Sequence, residues 1–259
     1  TADPKAGTAE VTFRITDKYF ESSTLTSSKI NVFVDGTYEE LIGGITKTLS
    51  DATELKEQRV VNGVTTTVQY GVQYTLKISG FKADVNQVRI TIFDNVVKDK
   101  SGNGNKLKLF YVYNVLKKAL FENDTSNFLD GKVQRQNIDN ITFEKSIPDT
   151  VYNHEKGKIT DTTRAWDVSA QGDESIVAWY VDSEIRNGIY KVHIANNNQV
   201  PGQSAITNNE IFANQDSSHL FAYIGYSSKS TSKEAITNIG YLNVSNVKYM
   251  DVMFFGTGY

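Results

Sequence analysis

Six apolar or aromatic residues, Val68, Tyr70, Val72, Tyr74, Leu76 and Ile78, fall on every second position of one stretch. A helix would scatter them around its circumference, whereas a strand points them all to one face. The run follows Asn62-Gly63, a dipeptide whose two residues both tolerate positive φ and so favour a tight hairpin. The same alternation recurs in Val11, Phe13 and Ile15, and in Ile30, Val32 and Val34 just before Asp35-Gly36. It returns in Val88, Ile90 and Ile92, and in Leu107, Leu109, Tyr111 and Tyr113. The polar loop Asp99-Lys100-Ser101-Gly102-Asn103-Gly104-Asn105 separates the last two runs. Some seven short strands split by turn signals predict a β-sandwich for the first half.

The second half is again rich in strands. Ile141 and Phe143 alternate, and Trp166, Val168 and Ala170 follow. Ile176 to Val181 is apolar on both faces, as a central strand requires, and Tyr190, Val192 and Ile194 alternate after it. Val115 to Phe121 reads as a helical turn or a direct crossover, which puts the domain boundary between Asn114 and Asn127. The last twenty or so residues differ in kind. Ser245 is a candidate N-cap, Val247, Met250 and Phe254 fall at helical spacing, and Gly256 suits the position after a helix end. A short strand followed by such a helix is one unit of a solenoid, and it cannot bury its apolar face without a stacked neighbour.

Composition narrows the function. Hydrophobic residues at 39% and charged ones at 22% supply a core and exclude a disordered tail. The 27 basic and 30 acidic residues are intermixed, so no basic stripe offers itself to nucleic acid. No apolar run approaches the roughly 18 residues that a membrane span needs. Cysteine is absent, as in a cytosolic protein or a bacterial surface protein. No signal peptide, lipid-attachment cysteine or C-terminal anchor is evident, and Thr1 to Thr8 reads as a linker within a longer chain.

No catalytic constellation is legible. His154, His193 and His219 have no compact metal-ligand spacing and no thiol to join them. The carboxylate pairs Glu39-Glu40 and Asp173-Glu174 sit in turn-like polar contexts, where acidic residues are usually solvated. The Asp99 to Asn105 loop is the best metal candidate, with oxygens at alternating positions, but it lacks a bidentate Glu. A hairpin loop in which Gly and Asn serve positive φ accounts for the same residues. Gly102-x-Gly104 leads into a strand rather than a helix, so it makes no phosphate cradle. The 14 tyrosines and two tryptophans could stack on sugar rings, with Trp179 and Tyr180 on opposite faces of one strand, but aromatic residues are also good strand formers, which accounts for them without a sugar site. The expectation is a chain that is not an enzyme, with no catalytic, cofactor or metal residues and no cofactor.

Two resemblances sharpen this. Val11-Thr12-Phe13-Arg14-Ile15-Thr16-Asp17-Lys18-Tyr19-Phe20, Tyr74 to Phe81 and Val97 to Asn103 resemble phrases of bacterial immunoglobulin-like domains, the tandem spacers of adhesins. That resemblance implies a sandwich over residues 8–116, and it allows a Lys–Asn crosslink from Lys18 or Lys29. Asn243-Val244-Ser245-Asn246-Val247-Lys248-Tyr249-Met250-Asp251-Val252-Met253-Phe254 resembles the repeat of BspA-like leucine-rich surface proteins. Ala213 to Phe221, Trp166 to Ala170 and Ile176 to Trp179 resemble the segments before such repeats. Residues 117–259 would then be a β-rich cap ending in one leucine-rich-repeat-like strand–helix unit. The implied role is a spacer and adhesion scaffold at a bacterial cell surface, with a host or microbial surface protein or glycan as partner. A carbohydrate-binding module of an exported enzyme is the alternative.

Overall fold

A computed structural model describes residues 2–120, 123–182, 188–198, 209–226 and 234–258. The chain is mainly β and divides into two compact units, with the boundary between Val112 and Tyr113.

In the first unit the strands are β1 (Ala2–Asp3), β2 (Thr8–Thr16), β3 (Phe20–Ser23), β4 (Ile30–Val34) and β5 (Thr37–Tyr38). A one-turn helix α1 (Glu39–Ile42) precedes β6 (Thr46–Leu49), β7 (Thr53–Val61) and β8 (Val64–Ser79). Then come β9 (Gln87–Ile92), β10 (Val97–Asp99) and β11 (Lys108–Asn114). One sheet runs β1-β2-β8-β6, with β7 pairing along the rest of β8, and another runs β11-β9-β4-β5. β3 and β10 form a separate ribbon. The pairings of β2 with β1 and β8, of β8 with β6 and β7, of β4 with β5 and β9, and of β3 with β10 are antiparallel.

The period-two runs supply the core. Phe13, Leu76 and Ile78 of one sheet and Ile30, Val32 and Ile90 of the other are buried. Phe13 stacks on Phe110 of β11 with ring centroids 6.1 Å apart, so the inner faces of the two sheets share one core. Asn62 and Gly63, at φ of 51° and 78°, make the predicted tight turn between β7 and β8. The even-numbered residues of β8 go inward only from Val72; Val68 and Tyr70 are half-buried, because that end pairs with β7 alone. Gly71 marks the change, since a Cβ there would meet the Ile15 carbonyl oxygen at 2.4 Å. Leu107, grouped with β11 by its spacing, lies outside the strand and is exposed.

The second unit has β12 (Ile138–Glu144), β13 (Tyr152–Asn153), β14 (Lys158–Ile159) and β15 (Ala165–Asp167). They are followed by β16 (Ile176–Asp182), β17 (Tyr190–Asn196), β18 (Ile211–Phe212), β19 (Ile236–Thr237) and β20 (Leu242–Asn243). The main sheet is β15-β16-β17-β12-β19, and β12 lies parallel to both neighbours. One face packs Ile141, Phe143, Ala178, Val192 and Ile194 into the larger core. On the other, Val177, Trp179 and Ala195 are covered by Ile147, Val151 and Tyr152. β16 is thus apolar on both sides because it is covered on both sides. The loop from Asn196 to Ser204 lies outside the described residues after Asn198.

One open reading about helices is decided and one expectation is corrected. Of the two readings of Val115 to Phe121, the described part Val115 to Leu120 carries no helical turn; the Leu116 amide donates to Phe212 O and the Lys117 amide to Val168 O, as in a direct crossover. The segment after Ser245 is not a helix either, so the unit is not strand–helix. It is a ribbon of successive turns, closed by Met253 N to Met250 O, Phe255 N to Val252 O and Thr257 N to Phe254 O. Val252 and Gly256 stand at φ of 49° and 62°, which a right-handed helix cannot contain. A turn ribbon with bonds three residues apart repeats its side chains much as a helix does, which is why the spacing of Val247, Met250 and Phe254 misled.

Candidate functional site

The three histidines are dispersed. His193 Nδ1 lies 2.8 Å from Glu144 Oε1, and its ring stacks on Trp179. His154 Nε2 lies 3.0 Å from Ile147 O. His219 sits in a turn at φ 62°. Among the described residues no group of three or more His, Asp or Glu is gathered as a metal would need.

The acidic pairs divide their labour. Glu40 is exposed, but Glu39 is buried and ion-paired with Lys47, contrary to the solvated expectation. Asp173 Oδ1 accepts from the Ser175 amide, and Glu174 Oε2 accepts from the Ile159 amide at 2.7 Å. These carboxylates close turns.

The Asp99 loop is likewise closed by its own side chains. Asp99 Oδ1 accepts the amides of Ser101 and Asn103, each at 2.8 Å, and Oδ2 accepts the Asn103 side-chain amide. Those donors hold the Asp99 carboxyl below its usual range, the Asn103 side chain contributing most. Asn105 Oδ1 accepts the amides of Val96 and Val97, while its Nδ2 donates to Phe93 O and Lys106 O. The side-chain oxygens of Asp99 and Asn105, two of those that seemed placed for calcium, are engaged in holding the loop.

The strand aromatics are largely covered. Trp166 and Trp179 are buried and Tyr180 is half-buried, so neither face of β16 offers an open ring. Lys18 and Lys29 each lie near an aromatic ring, over Tyr19 and Phe93.

What stands out is the end of the second unit. Residues 211–225 and 242–258 form two coils laid parallel, one on the other. The pairing starts as β18 beside β20 and continues through the bridge of Asp216 to Tyr249, a spacing of 33 residues. The amides of Ser217, His219, Phe221 and Tyr223 donate in turn to the carbonyls of Tyr249, Asp251, Met253 and Phe255, at 2.8–3.1 Å. Side chains follow the same spacing. Leu220 and Met253 both point into the core, and Phe221 stacks on Phe254 with centroids 5.5 Å apart.

Below the first coil lies Arg135, fully buried. Its Nη1 donates to the carbonyls of His219, Leu220 and Ala222 at 2.8, 3.2 and 3.2 Å. Burial pulls its pKa down to about 10, so it remains charged at neutral pH. Above the second coil Tyr249, Met250, Val252, Phe254 and Phe255 are all exposed, each by about half. Such a cluster of large apolar side chains is the mark of an interaction surface.

No family model, curated protein or solved structure matches this chain.

The sequence held the signal for the coils in Asn243 to Phe254, but their stacking and the role of Arg135 were missed. An arginine before a strand has no local feature that reveals three carbonyl partners more than eighty residues away.

Proposed function

We propose that this chain is a non-catalytic module of a bacterial cell-surface protein, a spacer followed by the start of a ligand-binding solenoid. The observation that carries this reading is the pair of coils stacked at a 33-residue spacing, with a row of exposed apolar side chains on the outer one. Stacked coils are how solenoid proteins build long binding surfaces. The spacing and the Asn243 to Phe254 phrase together support a BspA-like leucine-rich array.

The immunoglobulin-like reading of the first unit draws support from strand order. β1-β2-β8-β6 against β11-β9-β4-β5 matches the ABED and GFC orders of that fold, β5 standing as an added edge strand. Such a unit acts as a spacer, and adhesion to a host or microbial surface protein or glycan falls to the coils. The buried tryptophans count against the carbohydrate-module alternative, which needs open rings on a sheet face.

The test is binding of the labelled chain to an array of matrix proteins and glycans, beside a panel of glycoside and peptide substrates. Saturable binding to a surface protein, weakened by Phe254→Asp and Tyr249→Asp, supports the reading. Turnover of any substrate above background overturns it.

A further inference from the structure

The first unit carries an ordered row of side chains on the outer face of its β11-β9-β4-β5 sheet. Strand alternation sends Ile30, Val32 and Val34 of β4 and Val88, Ile90 and Ile92 of β9 into the core. It leaves Asn31, Phe33, Arg89 and Thr91 on the other side, each only partly covered. Register then lines these residues up. Tyr38 of β5 stands opposite Phe33, and Phe33 stands opposite Arg89, so the three form one line across three strands. They touch along it. The Phe33 and Tyr38 ring centroids lie 5.6 Å apart, and the Arg89 guanidinium carbon lies 4.4 Å from the Phe33 centroid. Asn31 and Thr91 form the next line, with Asn31 Oδ1 3.5 Å from the Tyr38 hydroxyl.

Arg89 is the anomaly in this row. The other two arginines of the unit are satisfied by protein. Arg14 Nε donates to Gln73 Oε1 at 2.9 Å, and Arg59 pairs with Glu57 and donates to Lys18 O at 2.6 Å. Arg89 makes no hydrogen bond and no ion pair among the described residues. Its Nε is sealed from solvent without an acceptor, whereas its two Nη groups are not sealed. A buried N–H with no acceptor keeps its desolvation cost, so the fold gains nothing from hydrogen bonding by this side chain. Phe33 attracts one face of the guanidinium but accepts none of the N–H groups in its plane. The two Nη groups at the tip are left as a flat fork, the shape that matches a carboxylate.

The other end of the row decides which kind of carboxylate. Glu40, exposed in α1, stands within hydrogen-bonding reach of the Tyr38 hydroxyl. A fixed anion there repels a peptide with acidic residues in series, yet it accepts hydrogen bonds from neutral hydroxyls. One negative charge flanked by hydroxyls is the pattern of a sugar acid. We propose that the outer face of β5, β4 and β9 holds a sugar-acid subsite, in which the Nη groups of Arg89 take the carboxylate and Asn31, Thr91 and Glu40 take neighbouring hydroxyls. The subsite adds glycan contact to a unit that otherwise acts as a spacer, and it is separate from the coils. It reads charge and hydroxyls rather than the flat face of a sugar, since the guanidinium already covers the Phe33 ring.

The experiment titrates the full chain, labelled with nitrogen-15, with glucuronate, glucose, acetate and tetraglutamate. NMR follows the Arg89 Nε–H and the amides of Phe33 and Thr91. Glucuronate is expected to shift all three saturably, with glucose, acetate and tetraglutamate each weaker by roughly tenfold or more. Arg89→Gln abolishes the glucuronate shifts of the two amides, and Arg89→Lys weakens binding by roughly tenfold, because an ammonium lacks the fork. Both variants keep the remaining amide spectrum, since Arg89 bonds to nothing in the fold. Absence of a saturable shift overturns the proposal, as do amide shifts that survive Arg89→Gln. Acetate binding as tightly as glucuronate would reduce the site to bare charge, and tetraglutamate binding more tightly would assign it to an acidic peptide; either result also overturns it. Phe254→Asp leaves the glucuronate response unchanged, so this subsite and the coil surface fail separately.

Discussion

Arg135 brings a full charge into the interior and directs Nη1 at three backbone carbonyls. Hydrogen bonds from charged donors are stronger than neutral ones, and carbonyls left without them keep their desolvation cost. Arg135→Met is therefore expected to destabilise the second unit by about 3 kcal/mol, read from urea melts. Arg135→Lys should recover only part, since an ammonium lacks the planar spread of donors. Asn105 plays a comparable role in the first unit, with four bonds through one side chain. Asn105→Ala should cost about 2 kcal/mol, while millimolar calcium should leave the melting temperature of the unaltered chain where it is. The sequence marks Asp99 and Asn105 as special, but the same oxygens suit a metal or a turn. Only the positions of the backbone amides decide between them.

Among the elements, strands were far more legible than turns. Alternation in Val11 to Ile15, Ile30 to Val34 and Val88 to Ile92 places β2, β4 and β9 directly, because a one-residue slip would turn the whole apolar set outward. The parallel pairing of β12 with β17 and β19 was not legible, since nothing local distinguishes a parallel neighbour from an antiparallel one. The turn ribbons were misread as helix because their side-chain spacing imitates one. A close approach of similar subtlety lies at Gly131, where a Cβ would fall 2.1–2.6 Å from atoms of the Trp166 indole. Gly131→Ala should push Trp166 out of its pocket, with a red-shifted emission and a loss of about 2 kcal/mol. A lesser change, not a shift of emission, would mean that the chain around Gly131 yields instead. For the coils, exchange should be faster in residues 242–258 than in β16 and β17, because the outer coil packs on one side only.

For the molecule as a whole, charge offers a further handle. Lys118 Nζ lies 2.6 Å from Asp216 Oδ2, and that bond with the Ser218 side chain lowers the Asp216 carboxyl to about 2. An unfolded aspartate titrates near about 3.9. The folded value is the lower one, so the pair stabilises the fold above about pH 4 and loses its effect as pH falls toward 2. Both groups are partly exposed, which limits the gain to about 0.5–1 kcal/mol. Asp216→Asn should flatten the stability profile in that window and leave its neutral limb nearly parallel. At this scale the mainly β class was plain from alternation, whereas the end of one unit and the start of the next was not. The sequence has no Gly- or Pro-rich stretch there because the structure needs none. β11 belongs to the first unit up to Val112, and its next residue, Tyr113, is already in the second, where its hydroxyl accepts from Asn246 Nδ2 at 3.2 Å.

That shared strand has a mechanical meaning. A chain under tension usually gives first in its linkers, which lengthen like slack rope and cushion the load. Here the division falls inside one strand, between Val112 and Tyr113. The peptide bond between Val112 and Tyr113 lies within the strand itself, so the backbone at that point has no slack to give.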